Sequence, residues 1–370
     1  MSSKLDSIIM GVKAHIQEHK LETGALLPSE SELCAIHSAS KMTVVKALEK
    51  LNREGAIYRK KGVGSFVATN PLNAGGEVIL LFPDNITSNI SQLLLSGGKE
   101  ALISHPEYAL SMEIYPTGGD SLTAIKNVYH RHQNSLRGFL FFPQPIPYSR
   151  DVNARVINWF HLQVLPFMVL DRLQEKDHTP NYVSSDNIKG GRMAAAKLFA
   201  DAYQYFAFVY ADRGVATIDR QEGFVQELIA NGIPENSIEI IHLPQRYDQW
   251  LPTIANFLRR RALFRHMQEI GTEAAAGGLG IFACNHEIAS CIQLEVSRQN
   301  LRTPHQVGLM SYCDGLPLAE QQQISEIIQY PKSIGKIAVQ KLLEQIKSPA
   351  NPVTPHVHDV HLLSRGSTRS

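Results

Sequence analysis

LETGALLPSESELCAIHSASKMTVVKALEKLNREGAIYRKKGVGSFVA, residues 21–68, carries the punctuation of several local elements in one short run. Ser29 followed by Glu32 is a capping box, in which each side chain can satisfy an orphaned N–H of the other residue, and it opens a short helix through Leu33 and Ile36. Ser40 is placed to cap the next helix, where Val44, Ala47, Leu48 and Leu51 share one face and Gly55 is placed to end it. AIYRKKGVGSFVA then reads as two alternating strands around a Gly62-x-Gly64 turn. Upstream, Leu5, Ile8, Ile9, Val12 and Ile16 fall on one face of a further helix, and Gly24 and Pro28 lie in the connector behind it. Helix, helix, helix and hairpin within residues 1–68 form a winged helix-turn-helix pattern.

Outward from that head, TNPLNAGG (69–76) has no periodicity and reads as a linker. From residue 77 short apolar runs alternate with helical stretches: EVILLF (77–82), YALSMEIY (108–115), RGFLFF (137–142), LPFMVLD (165–171), YFAFVY (205–210), SIEIIHL (237–243), LGIFAC (279–284) and QVGLMSY (306–312). Continuous apolar strands separated by helices imply parallel sheets covered on both faces. Their number fits two α/β lobes better than one sheet. No repeat of 20–50 residues shares side chains along the chain.

Composition agrees with this division. A chain of 370 residues, 44% hydrophobic and 19% charged, is a globular protein of two or three domains. Residues 1–70 carry 10 Lys/Arg against 7 Asp/Glu, and the remainder 26 against 28, so a modestly basic head precedes a slightly acidic body. No apolar run approaches the ~20 residues of a membrane span, and MSSKLDSIIMGVKAH is too polar for a signal peptide. Cys34, Cys284, Cys291 and Cys313 show neither CxxC spacing nor a disulfide framework, which suits reduced thiols in a cytoplasm.

Gly24, Leu27-Pro28-Ser29-Glu30, Glu32-Leu33, Ser40, Thr43-Val44, Ala47-Leu48, Leu51, Glu54-Gly55 and Gly62-x-Gly64-x-Phe66-Val67 resemble the GntR-family winged helix over its full length. The resemblance implies that the third helix enters the major groove of double-stranded operator DNA while the wing reaches the neighbouring backbone or minor groove. Ser29, Ser40, Lys41, Thr43, Lys46, Arg59, Lys60, Lys61, Gly62 and Gly64 are the candidate DNA-binding residues; the cations suit phosphates and Thr43 offers a hydroxyl. The family usually has arginine where this chain has Ser31, Lys41 and Val45. Lysine is a point charge without arginine's fork, and serine and valine cannot replace it on a guanine edge.

Val169-x-Asp171-Arg172, Ser185-Asp186-Asn187-x-x-Gly190-Gly191, Arg220-x-x-Gly223-Phe224, Ile281-Phe282-x-Cys284-Asn285, Val307-Gly308-Leu309, Asp314-Gly315, Gln329-x-Pro331-x-x-x-Gly335 and Leu362-x-x-Arg365-x-Ser367 resemble the LacI/GalR effector domain, itself similar to periplasmic sugar-binding proteins. The whole chain thus resembles arabinose-repressor-like regulators. That implies residues 77–370 as a two-lobed periplasmic-binding-protein-like domain with parallel sheets, lobe 1 at about 77–185 and 316–347 and lobe 2 at about 186–315 and 350–365, working as a homodimer. It also implies a monosaccharide effector, a pentose or 6-deoxyhexose, with no cofactor. Asp171, Arg172, Arg220, Asn285, Asp314 and Gln329 match the family's ligand-binding positions. Aspartate accepts from sugar hydroxyls, arginine and asparagine donate, and glutamine does either. Asp171 and Arg172 follow the fourth apolar run, Asn285 follows IFAC and Asp314 follows the last run, at carboxyl ends of strands where open α/β sheets bind ligands. Arg220 is placed at the start of a helix after YFAFVY, and Gln329 in the final crossover. Phe142 is the candidate to stack on the sugar, and the first loop adds Asn89, with Asp84 and Asn85 beside it.

Against an enzyme, there is no Walker sequence, HExxH or GxSxG, and no GxGxxG follows the body's first strand. His130-x-His132 reads as a polar surface stretch and His356-x-His358 as a tail, so no metal site is expected from them. His286, where the family has aspartate, reads as a changed helix cap. LRRRALFRHMQEIGTEAAA (258–276) reads as a solvated helix face, or else as a partner surface. The alternative function is a sugar-binding protein whose DNA head has degenerated through Ser31, Lys41 and Val45.

Overall fold

The computed structural model describes residues 4–19, 21, 24–53, 56–60, 62–67, 76–84, 90–144, 150–171, 181–212, 214–268, 278–314, 321–348 and 353–369. The head is built from α1 (Lys4–Glu18), α2 (Glu30–His37), α3 (Lys41–Arg53), β1 (Ile57–Lys60) and β2 (Gly64–Val67). Ile8, Val12, Ile16, Leu33, Val44, Ala47, Leu48 and Leu51 are buried together, so the apolar stripes of the three helices meet in one small core. The capping box forms as the spacing requires: Glu32 N–H donates to Ser29 Oγ at 3.2 Å, and Ser29 N–H donates to the Glu32 carboxylate at 2.7 Å. β1 and β2 pair antiparallel with Lys60 opposite Gly64, and Gly62 (φ +78°) supplies the left-handed backbone of the wing turn. Gly55 and the expected linker as far as residue 75 lie outside the described residues.

The body begins with β3 (Gly76–Pro83), α4 (Ile90–Ala101), β4 (Tyr108–Tyr115), α5 (Ser121–His132), β5 (Leu136–Phe141), α6 (Arg150–Leu162), β6 (Phe167–Leu170) and β7 (Tyr182–Ser185). It continues with α7 (Asn187–Ala200), β8 (Tyr205–Tyr210), α8 (Val215–Ala230), β9 (Ile238–His242), α9 (Trp250–Gln268), β10 (Leu279–Ala283), α10 (His286–Arg298), β11 (Val307–Cys313) and β12 (Ser325–Ile328). Last come α11 (Pro331–Lys347), β13 (His356–His358) and β14 (His361–Leu363).

Among the described residues these strands form two six-stranded sheets. The first, in order β13-β7-β6-β5-β3-β4, is parallel throughout. Along β3, Val78 and Leu80 pack under α4 and α11, while Ile79 and Leu81 pack with Ile125 and Phe160 on the opposite face. Both faces are dry, which is why the strand reads as an unbroken apolar run. The second sheet, β14-β12-β11-β10-β8-β9, is parallel except for the antiparallel edge strand β14.

The lobes divide differently from expectation near the C-terminus. Ser325–Ile328 pairs with β11 and belongs to the second sheet, although residues 316–347 were expected in the first lobe. His356–His358, expected in lobe 2 as part of a tail, is the edge strand of the first sheet beside β7. The chain therefore crosses between sheets after β7, after β12 and after β13. Such short crossing strands can join either sheet, and only backbone pairing decides which.

Candidate effector site and nucleic-acid interface

The close packing of α7 against α8 fixes the site. A Cβ on Gly191 of α7 would lie 2.1 Å from the Arg220 carbonyl oxygen, and one on Gly223 of α8 would lie 2.1 Å from that of Ile188. Only glycine allows these backbones to approach so closely. The approach brings Arg220, six residues into α8 instead of at its start, against Asn187 at the head of α7. Arg220 Nε donates to Asn187 Oδ1 at 2.8 Å and Nη1 donates to the Cys284 carbonyl at 2.7 Å. Its guanidinium lies over the Tyr312 ring. Burial pushes the Tyr312 phenol above its ordinary pKa, with Asp171 and Asp186 adding to the rise and Arg220 opposing it, so the hydroxyl stays protonated.

From Asn187 the network continues through hydrogen bonds. Asn187 Nδ2 donates to the Ser185 carbonyl at 3.1 Å, and Ser185 Oγ donates to Gln329 Oε1 at 3.1 Å. Gln329 Nε2 in turn donates to the Asp314 carboxylate. Asn285 follows Cys284 and caps α10, its Oδ1 accepting from the Ile288 N–H at 2.9 Å. Asn285 itself is the cap, so His286 does not fill that role.

Asp171, buried at 7% exposure, directly follows β6 in the left-handed region at φ +58°. Among the described residues its Oδ1 is buried without a hydrogen-bond partner. A buried, unsatisfied carboxylate oxygen on a strained backbone is a feature that binding sites retain. Asp171 lines a cavity of about 200 Å³ whose wall also includes Ser185 and Asn187, the partners of Gln329 and Arg220, and Val215 and Asp219 of α8. Asp171 comes from the first lobe, and Arg220, Asn285 and Asp314 come from the second. The structure thus gathers the five described members of the expected set around one junction, although of these only Asp171 lines the cavity directly. Arg172, Asn85 and Asn89 lie outside the described residues.

Phe142 departs from expectation. It is 1% exposed, and its ring packs 4.7 Å from that of Phe82 in the first-lobe core, so it does not present a bare face. Asp84 accepts from the Thr117 N–H at 3.0 Å. His132, read as a surface histidine, bridges two carboxylates, with Nδ1 2.7 Å from Glu77 and Nε2 3.3 Å from Glu113. Ser185 and Asn187 belong to a motif of the resemblance but were not among the expected site residues. Their position just before a helix, in a Ser-Asp-Asn run, was the available signal.

In the head, Glu30 stands between two of the cations expected to meet phosphate. Arg59 of the wing donates to its carboxylate, and Lys41 Nζ at the start of α3 lies 3.7 Å away. The Ser40 and Thr43 hydroxyls are bonded to one another at 2.8 Å. Lys46 is exposed, and Lys60 Nζ lies 5.4 Å from the Phe66 ring centroid. Ser29 is committed to its cap, and Lys61 lies outside the described residues.

Residues 5–67 match bacterial regulatory proteins of the gntR family, and residues 195–368 match the periplasmic binding protein-like domain. An arabinose metabolism transcriptional repressor of Halalkalibacterium halodurans is 23% identical over 352 residues, covering 93% of this chain and 89% of that protein. A transcriptional regulator CelR in complex with cellobiose superposes with a TM-score of 0.63 at 17% identity, over 88% of this chain and 90% of its own. A LacI-family regulator from Enterococcus faecium with bound ribose gives 0.62 at 21% identity, over 79% and 98%. The chain is a GntR-type winged helix-turn-helix head joined to a periplasmic-binding-protein-like body with the LacI-type fold.

Proposed function

We propose that this chain is a DNA-binding transcription regulator of a carbohydrate-utilisation locus, its operator affinity set by a monosaccharide held between the lobes. The observation that carries this reading is the network centred on Ser185. Hydroxyl-matching groups from both lobes meet there, and Asp171 keeps a buried acceptor oxygen with no described partner. A pentose or 6-deoxyhexose is the finer proposal. It is supported by the arabinose repressor among its relatives and by the ribose-bound structural neighbour, and it accords with the resemblance of the six positions to the family's ligand-binding positions. Two heads in a homodimer would meet a palindromic operator, and closing of the lobes on the sugar would reposition them. A coupling of about 1–3 kcal/mol would change operator occupancy by roughly 5–150-fold.

Gel-shift titration on the DNA upstream of the protein's own locus, with and without arabinose, ribose, fucose or glucose, tests this. Sugar-dependent binding with a steep salt slope is expected, and Asp314→Ala should abolish the sugar response while sparing sugar-free DNA binding. Equal, weak binding to any duplex at every sugar concentration would instead favour a sugar-binding protein with a degenerate head, a reading to which the Glu30 pairing of Arg59 and Lys41 lends support.

A further inference from the structure

Next to Asn285 and Asp314, at the ends of β10 and β11, three side chains of a different chemistry converge. His286 opens α10, Cys313 ends β11 and Glu326 lies in β12. All three are buried, and one ligand atom from each lies within 4.8 Å of the others. His286 Nδ1 is 4.0 Å from Glu326 Oε1, too far for a hydrogen bond, and both atoms are buried with no hydrogen-bond partner among the described residues. Two orphaned polar atoms facing one another in a dry interior are costly unless a third species sits between them.

The surrounding groups hold this arrangement in place. The other ring nitrogen of His286, Nε2, is 3.3 Å from Ser290 Oγ, which in turn donates to Gln322 Oε1 at 3.0 Å. The remaining oxygen of Glu326 accepts from Arg365, whose Nη1 also donates to the Ile324 carbonyl at 2.7 Å. A ligating histidine held by a hydrogen bond at its far nitrogen, and a ligating carboxylate held at its far oxygen, are the usual supports of a metal site.

We propose that His286 Nδ1, Cys313 Sγ and Glu326 Oε1 bind a divalent ion of the zinc class. The mixed nitrogen, sulfur and oxygen set selects a borderline-soft ion over magnesium or calcium. Bond lengths of about 2.0–2.3 Å in a tetrahedron put neighbouring ligand atoms about 3.3–3.7 Å apart, so a pair at the 4.8 Å limit needs to close by about 1.1–1.5 Å. Binding releases the Cys313 thiol proton to solvent, and the thiolate and Glu326 offset the ion's charge. A water fills the fourth position. Arg365 shares the single charge of Glu326, so the ion, the thiolate, Glu326 and Arg365 together carry one net positive charge.

The placement gives the ion a role. His286 directly follows Asn285, and Cys313 directly precedes Asp314, so the backbone anchored by the ion presents two residues of the proposed sugar set. The ion would brace the second-lobe half of the effector site. Sequence spacing hid the cluster, because positions 286, 313 and 326 come together only through the order of β10, β11 and β12. The proposal stands whether or not the effector is a sugar.

The test is Co²⁺ titration of the full chain after chelator treatment and dialysis, followed by absorbance. One equivalent per chain should give a thiolate-to-cobalt charge-transfer band with tetrahedral d–d bands, both removed by Zn²⁺. Cys313→Ser should lose the charge-transfer band, and Cys34→Ser should keep it. Zn²⁺ should also raise the melting temperature of the wild type and leave that of Cys313→Ser unchanged. If Cys313→Ser does not fold, weakened d–d bands in the isosteric Glu326→Gln carry the same information. No stoichiometric uptake by the wild type, or a charge-transfer band that survives Cys313→Ser, overturns the proposal.

Discussion

The central guanidinium carbon of Arg220 lies 3.5 Å from the ring centroid of Tyr312, the arginine 7% and the tyrosine 2% exposed. This stack, with two donated hydrogen bonds, uses the planar fork that distinguishes arginine from lysine. Arg220→Lys should therefore leave the Asn187 oxygen or the Cys284 carbonyl unsatisfied, at a cost of about 1–3 kcal/mol, and should remove the sugar-induced rise in melting temperature. Tyr312→Phe preserves the ring face and should retain most of that rise. Melts with and without monosaccharide decide it, and an unaltered response in Arg220→Lys would count against the site.

Gly191→Ala would drive a methyl group to 2.1 Å from the Arg220 carbonyl oxygen, where backbone faces backbone and no side chain can yield. A stability loss of about 1–3 kcal/mol or more is expected, together with weakened effector binding, because α8 carries Arg220. Gly119→Ala meets nothing within 4 Å and should be close to neutral. Denaturant titration of the two variants compares them directly, and equal midpoints would contradict the close-packing account.

Glu100 of α4 receives Lys336 at 2.7 Å and Lys332 at 3.0 Å, and these ammonium groups hold its carboxyl down from 4.5 to about 2. A folded pKa below the unfolded one stabilises the protein above pH 4.5, and that contribution fades as pH falls from 4.5 towards 2. Wild type should thus lose more stability across this window than Glu100→Gln. The carboxylate is exposed, so 1 M salt, in which charges are screened within about 3 Å, should shrink the difference. Parallel melting curves for the two proteins at low salt would show that the pair adds nothing.

Glu30 pairs with Arg59 and Lys41, and on DNA it would compete with phosphate for both. Glu30→Gln should raise DNA affinity several-fold and steepen its salt dependence, each newly engaged phosphate adding about 0.9 to the log–log slope. Lys46→Ala should act in the opposite direction, lowering the slope by about 1 without changing sequence preference. Affinity measured across a salt series separates the two. A Glu30→Gln slope equal to wild type would mean that neither cation reaches DNA.

What the sequence made legible follows from which physical signals are local. The capping box of Ser29 and Glu32 and the stripe of Val44, Ala47, Leu48 and Leu51 depend on neighbours a few residues away, and both were readable. The inner strands among the eight apolar runs were readable because they are buried on both faces, and the edge strands β4 and β9 because enough of their residues are apolar. β7, β12, β13 and β14 were not, since they are short and polar. Ser184 and Ser185 are buried yet give no hydrophobic pattern, because they satisfy themselves through hydrogen bonds. Phe142 shows the converse limit: a strand-end aromatic looks alike in sequence whether it faces a ligand or the core. The hub role of Ser185 exists only after residues 144 positions apart are brought together.

The last of the crossings leaves only Asp359 and Val360 between strands of opposite sheets, with Asp359 tied to Lys189 at 2.6 Å. Three Cα–Cα steps span no more than about 11 Å, so the lobes cannot slide apart along this tether. Whatever moves them must act as a swivel about the three crossings. Angular motion grows with distance from its axis, so a small tightening at Ser185 is magnified at the rim of each lobe, far from where it began.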